Sequence, residues 1–210
     1  SAAPSVKMTV RNSGVVTYST DSNPSATIVV AGKDVWVPFA SYKATAQYEE
    51  MEVDRMTVFA SGTAAGTTHN ADSSAFTTVA VASNGAVKAS DILSSGGTST
   101  KDIDLSANKI IVPKDGSVTF QLWAKISNIQ SSSSVSGATT GVHRSGMSPP
   151  LGLRNNIQTG EWDSNYASMA NIRTTGKSSG ERIYAAATNL THGNAFVTRK
   201  TKPVVTKQSL

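Results

Sequence analysis

The clearest alternation of apolar and polar residues in the chain runs from Ser117 to Ile126. Every second residue is apolar, namely Val118, Phe120, Leu122, Ala124 and Ile126. Because successive side chains of a strand point to opposite faces, this spacing predicts a β-strand with one buried face. Just upstream, Lys109-Ile-Ile-Val112 leads into Pro113-Lys-Asp-Gly116, a turn sequence whose glycine can take a positive φ. Together the two segments predict an antiparallel hairpin over 109–126.

A second stretch changes its parity partway along. Met51 and Val53 alternate with carboxylates, whereas Met56 and Val58 continue the apolar pattern one position out of step. One extra residue in a strand produces such a shift, so the sequence predicts a β-bulge or break near Asp54-Arg55.

Strand-like segments separated by turn residues recur about every 8–12 residues, and about ten of them are recognisable. Asn84-Gly85, for example, follows the strand-like stretch 76–82 and predicts a tight turn. The pattern is that of an all-β, antiparallel sandwich with long loops, the longest at 127–150 and another at 91–101. We expect an N-terminal strand pair or arm at 1–20, a β-sandwich domain at 21–206 and a C-terminal tail at 207–210. The N-terminal strands either belong to the sandwich or pair with a neighbour.

The composition narrows the classes of function. Ser contributes 30 residues and Thr 24, so 54 of the 210 residues carry small hydroxyls that suit solvated strand faces and loops. The chain has no cysteine, which excludes thiol catalysis, thiolate metal sites and disulfides. The net charge of +5 is modest and its one dense basic patch is C-terminal, so we expect no nucleic-acid binding. No apolar run approaches the roughly 18 residues of a membrane span, so we expect no membrane insertion.

Five stretches of the chain share a pattern with a known group of domains. They are Asp21-Ser-Asn-Pro24, Val29-Val-Ala-Gly-Lys33, Glu50-Met-Glu-Val-Asp54, Val112-Pro-Lys-Asp-Gly-Ser-Val-Thr-Phe120 and Gly193-Asn-Ala-Phe-Val-Thr-Arg-Lys-Thr-Lys-Pro203. These stretches resemble Ig-like β-sandwich domains found in large surface proteins of uncultured small-genome bacteria. Together these segments span most of residues 15–206. The resemblance implies an Ig-like sandwich with a structural role at the cell surface, and it carries no catalytic residues. Such domains usually sit in longer proteins.

Two sets of residues are candidates for contacts between subunits. Glu49, Glu50, Glu52 and Asp54 place four carboxylates within six residues, the last three on one strand face, and these repel one another unless solvated or paired. A row of cations could pair with them in the same or a neighbouring subunit, the candidates being Arg199, Lys200 and Lys202. The ordinary alternative is a solvated face. Val6, Met8 and Val10 alternate with polar residues and could form an exchanged strand.

Two further kinds of ligand site are open to test. Asp102 and Asp104, with Asp91, offer carboxylates in predicted loops and are candidate calcium ligands, although ordinary turn-forming aspartates explain them as well. No other cofactor is expected. Trp123 and Trp162 could stack on sugar rings of surface glycans or simply pack against the protein.

An enzyme is not expected. The three histidines, His69, His143 and His192, lie in stretches rich in Gly, Ser and Thr, and the sequence contains no nucleophile-elbow motif. We therefore expect a non-enzymatic structural subunit or module of an extracellular assembly, such as a surface layer or fibre, that forms homo-oligomers or polymers. A carbohydrate-binding or adhesive module is the first alternative, and a virion or phage-tail structural protein is the second.

Overall fold

The computed structural model describes residues 13–25, 27–30, 32–60, 75–93, 99–130, 142–144, 146–148, 150–153, 172–185 and 190–200. Within these ranges the chain forms strands and turns and no α-helix. In chain order the strands are β1 (Val15–Thr20), β2 (Ile28–Val30), β3 (Val37–Gln47), β4 (Met51–Ala60), β5 (Phe76–Ser83), β6 (Ala86–Asp91), β7 (Ser99–Asp104), β8 (Ile110–Val112), β9 (Ser117–Ile126), β10 (Asn128–Gln130), β11 (Val142–Arg144), β12 (Gly146–Met147), β13 (Leu151–Leu153), β14 (Ile172–Gly176), β15 (Arg182–Ala185) and β16 (Val197–Arg199).

Two antiparallel sheets face each other and give a sandwich-like fold, which confirms the all-β prediction. The five-stranded sheet has the order β1-β3-β9-β5-β6. The six-stranded sheet is built on β4, with β7 and β8 along one side, β13 and β14 along the other, and β15 outside β14. A small sheet of order β12-β16-β2 and a parallel pair of β10 and β11 lie beside them.

The apolar face predicted for β9 forms part of the core. Phe120, Leu122 and Ala124 are fully buried, and Val118 packs against the same cluster. The six-stranded sheet contributes the facing side chains, among them Met51, Val53, Met56, Val58, Ile103, Ile110, Val112 and Ile172. The alternation in the sequence thus identifies correctly which face of β9 leaves water.

The predicted irregularity near Asp54-Arg55 is a β-bulge in β4. Arg173 of β14 pairs with Arg55, and the next residue, Thr174, pairs with Val53, so Asp54 is the extra residue. Because of this insertion the apolar residues on both sides of the bulge point into the core. The predicted turn at Asn84-Gly85 is also confirmed, with φ values of 54° and 73° at the two residues, and it joins β5 to β6.

The predicted hairpin over 109–126 is wrong. β8 pairs with β4 in one sheet, whereas β9 pairs with β3 and β5 in the other, so 113–116 crosses between the sheets. The left-handed conformation falls on Asp115, at φ 52°, and not on Gly116. The alternation of apolar residues predicts which face of a strand is buried, and the apolar faces of β8 and β9 do pack into the same core. The alternation does not predict which sheet each strand joins.

A second crossover lies beside the first. The chain passes from β3 to β4 through 48–50, with Tyr48 at a φ of 75°. The backbone N–H of Tyr48 donates to Asp115 Oδ1 at 2.9 Å, and the N–H of Ala46 donates to the Gly116 carbonyl at 2.9 Å. The two crossovers are therefore tied together at one end of the sandwich.

Other segments differ from expectation. β7 occupies part of the predicted loop 91–101, and β10, β11 and β12 occupy parts of the predicted loop 127–150. β1 pairs with β3 along all six of its residues, so the boundary expected at residue 20 falls inside the sandwich. The strand expected at 6–10, the last residues of the domain and the tail at 207–210 lie outside the described residues.

Candidate interaction surfaces

The acidic stretch 50–54, which begins one residue before β4, is paired within the chain. Its three candidate carboxylates each accept a hydrogen bond from a nearby cation, and the sheet register brings these cations alongside. The pairs are Glu50 with Lys177 Nζ at 2.7 Å, Glu52 with Lys109 Nζ at 2.6 Å and Asp54 with Arg173 Nε at 2.5 Å. Asp54, the bulge residue, is 7% exposed and also accepts from Thr175 Oγ1 at 3.2 Å.

The cations expected to face these carboxylates lie elsewhere. The Arg199 guanidinium donates to the carbonyl of its neighbour Thr198 at 3.3 Å, Lys200 is exposed just beyond β16, and Lys202 lies outside the described residues. Pairing with those cations in a neighbouring subunit stays a prediction, and it would have to share carboxylates that already bond Lys109, Lys177 and Arg173.

Salt dependence tests that intersubunit pairing. If ion pairs between subunits hold an assembly together, raising the salt from about 0.05 M to about 1 M should dissociate it, because exposed charges are screened over a few ångströms at the higher concentration. Light scattering at the two salt concentrations measures the effect. An assembly of unchanged mass in about 1 M salt would contradict the pairing.

The three calcium candidates are not brought together. Asp102 bonds Arg55 and accepts from Thr57 Oγ1 at 2.5 Å, and Asp104 accepts from the Ser106 N–H at 2.8 Å. Asp91 belongs to the other sheet and pairs with Lys101 Nζ at 2.9 Å. No group of three or more acidic or histidine side chains suited to a metal ion occurs in the described part of the chain.

Glu49, two residues before β4, joins three parts of the molecule, a role that the sequence did not predict for it. Its side chain is 8% exposed. Its two oxygens accept from the N–H of Gly14 at 2.5 Å, the N–H of Ser178 at 2.9 Å and both the N–H and Oγ of Ser179 at 3.0 and 2.8 Å. Burial alone would raise the pKa of Glu49, but these donors outweigh it and hold the pKa at about 2.

The signal for Glu49 was present in the pattern. It shares the parity of Met51 and Val53, so it lies on the inner side of β4, whereas Glu50 and Glu52 lie on the outer side. The alternation thus indicates that Glu49, alone among the neighbouring glutamates, faces the interior. It fastens the start of β1 to the turn between β14 and β15.

The two edge strands of the five-stranded sheet differ in how strongly their sequences discourage pairing with a further strand. β6, at one edge, carries Lys88 and Asp91, whereas β1, at the other, reads Val-Val-Thr-Tyr-Ser-Thr and has neither a charge nor a proline. Charged residues and prolines on an edge strand discourage a further strand from pairing with it. β1 is thus an unguarded edge.

The hydrogen-bonding direction along β1 follows from its register. The N–H of Asp21 donates to the Ser41 carbonyl of β3 at 2.9 Å. Backbone groups of an antiparallel pair alternate between the partner and the opposite side, so the backbone groups of Val16, Tyr18 and Thr20 point away from β3. Within the described residues no strand pairs with that side of β1, although the Tyr18 hydroxyl contacts Thr174 Oγ1 of the other sheet at 2.5 Å.

Trp123 lies on the outer face of the five-stranded sheet. Its pairing partners are Pro38 on β3 and Ala80 on β5, and its side chain is half-buried. The indole N–H donates to Gln121 Oε1 at 2.8 Å, which lays the ring along its own strand. Trp162 lies outside the described residues.

Of the three histidines, His192 has a described side chain. Its ring stacks against Phe59 with centroids 5.2 Å apart, and burial lowers its pKa. His143 lies on β11, and His69 lies outside the described residues.

In the described residues, no helix is long and apolar enough to cross a membrane.

Comparisons with known proteins identify no relative of this chain. The chain matches no protein-family model, no curated protein and no solved structure.

Proposed function

We propose that this chain is a non-enzymatic structural subunit or module of an extracellular assembly, such as a surface layer or fibre, in which copies join through strand edges. The observation that carries the proposal is the unguarded outer edge of β1. The hydroxyl-rich, cysteine-free composition suits such a role.

The β1 edge offers a defined docking site for an added strand. The N–H and C=O groups of Val16, Tyr18 and Thr20 lie on its outer side, and an added strand would bond them through its main chain. Each such bond contributes about 0.5–1.5 kcal/mol net, so a few in a row give a directional contact.

The proposed donor is the segment around Val6, Met8 and Val10 of a second copy. Its apolar residues alternate with Lys7 and Thr9, which is the pattern of a strand with one apolar face. Main-chain bonds would set the direction of the contact, and the alternate apolar side chains would fix its register.

Adding charge to the β1 edge is expected to block assembly without unfolding the chain. Thr17 and Ser19 have exposed side chains, and their backbone groups bond to β3, so Thr17→Lys with Ser19→Lys keeps the existing ladder. Lysine side chains beside the edge should weaken association at least about tenfold. Multi-angle light scattering and negative-stain microscopy measure the assembly, and circular dichroism checks the fold.

Ser117→Lys with Thr119→Lys is the matched control, because it adds the same charge at the same spacing on exposed positions of the central strand β9. The control should assemble like the wild type. Deleting residues 1–12 removes the proposed donor and leaves β1 in place, so it should also abolish assembly. A wild type that stays monomeric at high concentration, or an edge variant that assembles like the control, would contradict the proposal.

A further inference from the structure

The outer faces of the two sheets differ in charge. The outer face of the six-stranded sheet is crossed by ion pairs, such as Arg173 with Asp54 and Arg55 with Asp102. The centre of the five-stranded sheet's outer face is uncharged: Trp123 and Gln121 lie there, flanked by Pro38 and Ser41 on β3 and by Ala80 and Ala82 on β5.

The small β5 residues on this outer face are buried. Ala80 and Ala82 pair with Trp123 and Gln121, so they project from the same outer face. Both alanines are nevertheless buried, at 0% and 1% exposure. This burial is expected where larger side chains, such as the indole and the amide of the two pairing residues, cover the alanine methyl groups.

The contact between the two side chains also orients the amide. An indole N–H only donates, so Gln121 must turn its oxygen toward Trp123. The Gln121 NH₂ group therefore points away from the ring and has no partner among the described residues. The next residue of β9 on this face, two positions before Gln121, is Thr119, whose side chain is exposed and carries a hydroxyl. Thr119 pairs with Lys43 of β3, and Ser117 follows it on the same face of β9.

We propose that this face, centred on Trp123 and Gln121, binds a neutral sugar residue of a glycan. The partly exposed indole stacks on the apolar C–H face of the ring, and the Gln121 NH₂ group, which has no partner among the described residues, donates to its hydroxyls. A neutral ligand fits because Trp123 and Gln121 carry no charge; of the cations on this face, Lys125 already pairs with Asp34 at 2.8 Å, and Lys43 lies beside Thr119 and not beside Gln121. The proposal is independent of the strand-edge contact of β1.

Affinity electrophoresis through gels containing soluble β-glucan, mannan or glycol chitin tests the site. The wild type should be retarded by at least one of these neutral polymers, and Trp123→Ala should weaken the binding at least about tenfold. Trp123→Phe keeps an aromatic ring and should retain part of the affinity. Tyr184→Ala is the matched control, since Tyr184 is an exposed aromatic residue on β15 of the other sheet, and it should bind like the wild type.

Gln121→Glu separates sugar binding from folding. It keeps an oxygen that accepts the indole N–H and removes both free donors, so the ring stays in place while binding falls severalfold. Three outcomes would overturn the proposal: no retardation of the wild type by any of the three polymers, equal retardation of Trp123→Ala and the wild type, or Trp123-dependent binding of a single-stranded oligonucleotide in place of the polymers.

Discussion

Replacing Glu49 by glutamine is expected to lower the free energy of unfolding by about 2–4 kcal/mol. Both oxygens of Glu49 accept hydrogen bonds, so the amide NH₂ of glutamine must face at least one backbone N–H donor of Gly14, Ser178 or Ser179. Chemical denaturation monitored by circular dichroism measures the loss. Glu50→Gln is the matched control, because Glu50 makes one exposed ion pair with Lys177 and should cost less than about 1 kcal/mol.

The same carboxylate predicts a pH dependence. Its folded-state pKa of about 2 lies below its ordinary value of 4.5, so its contribution is fully present above about pH 4.5 and is lost as the pH falls toward 2. Over that window the wild type should lose up to about 3 kcal/mol relative to Glu49→Gln, which has no proton to take up at this position. Two results would contradict this: the wild type and Glu49→Gln lose equal free energy of unfolding on acidification, or Glu49→Gln is as stable as Glu50→Gln at neutral pH. Either result would show that Glu49 does not stabilise the fold through its bonds to Gly14, Ser178 and Ser179.

Gly193→Ala is expected to cost more than about 3 kcal/mol and to loosen the segment that leads into β16. A Cβ at this position would lie 1.8 Å from the carbonyl oxygen of Phe39 and 2.6 Å from its carbon. These are backbone atoms of β3, which no side-chain rotation can move away. The N–H of Gly193 also donates to the Leu151 carbonyl at 2.9 Å, and the nearby ring of Phe196 packs on Phe39 with centroids 4.4 Å apart.

Gly180→Ala provides the control for this substitution. Gly180 has a φ of 68°, but a Cβ there would meet nothing within 4 Å, so the change costs about 1 kcal/mol from backbone strain alone. Thermal denaturation and hydrogen exchange of the Val197–Arg199 amides measure the two variants. If Gly193→Ala were no less stable than Gly180→Ala, the close approach to Phe39 would not exist in solution.

The sequence predicted local structure better than connections. The buried face of β9, the bulge at Asp54 and the turn at Asn84-Gly85 each rest on a few neighbouring residues, and each was confirmed. The partner of β8 was wrong because its choice depends on β4, about 60 residues earlier in the chain, while the turn chemistry of 113–116 suits a hairpin and a crossover alike.

Two other features were missed for different reasons. β7 contains only one apolar residue, Ile103, so its composition predicted a loop. It is a strand because its backbone forms hydrogen bonds with β4. Glu49 was hidden in a run of carboxylates, and only its parity with Met51 distinguished it. The edge of β1 and the setting of Trp123 depend on which strands become neighbours, which one sequence does not specify.

The small sheet that pairs β2 with β16 has a consequence for how the molecule is made. Nearby, the N–H of Thr191 bonds the hydroxyl of Thr20 across a separation of 171 residues. On a ribosome, β2 emerges long before its partner exists, so this part of the sandwich cannot close until β16 has been synthesised. Until then Ile28-Val-Val30 lacks β16, the strand that pairs with it in the described part of the chain, and this interval is when a chaperone would protect the nascent protein most.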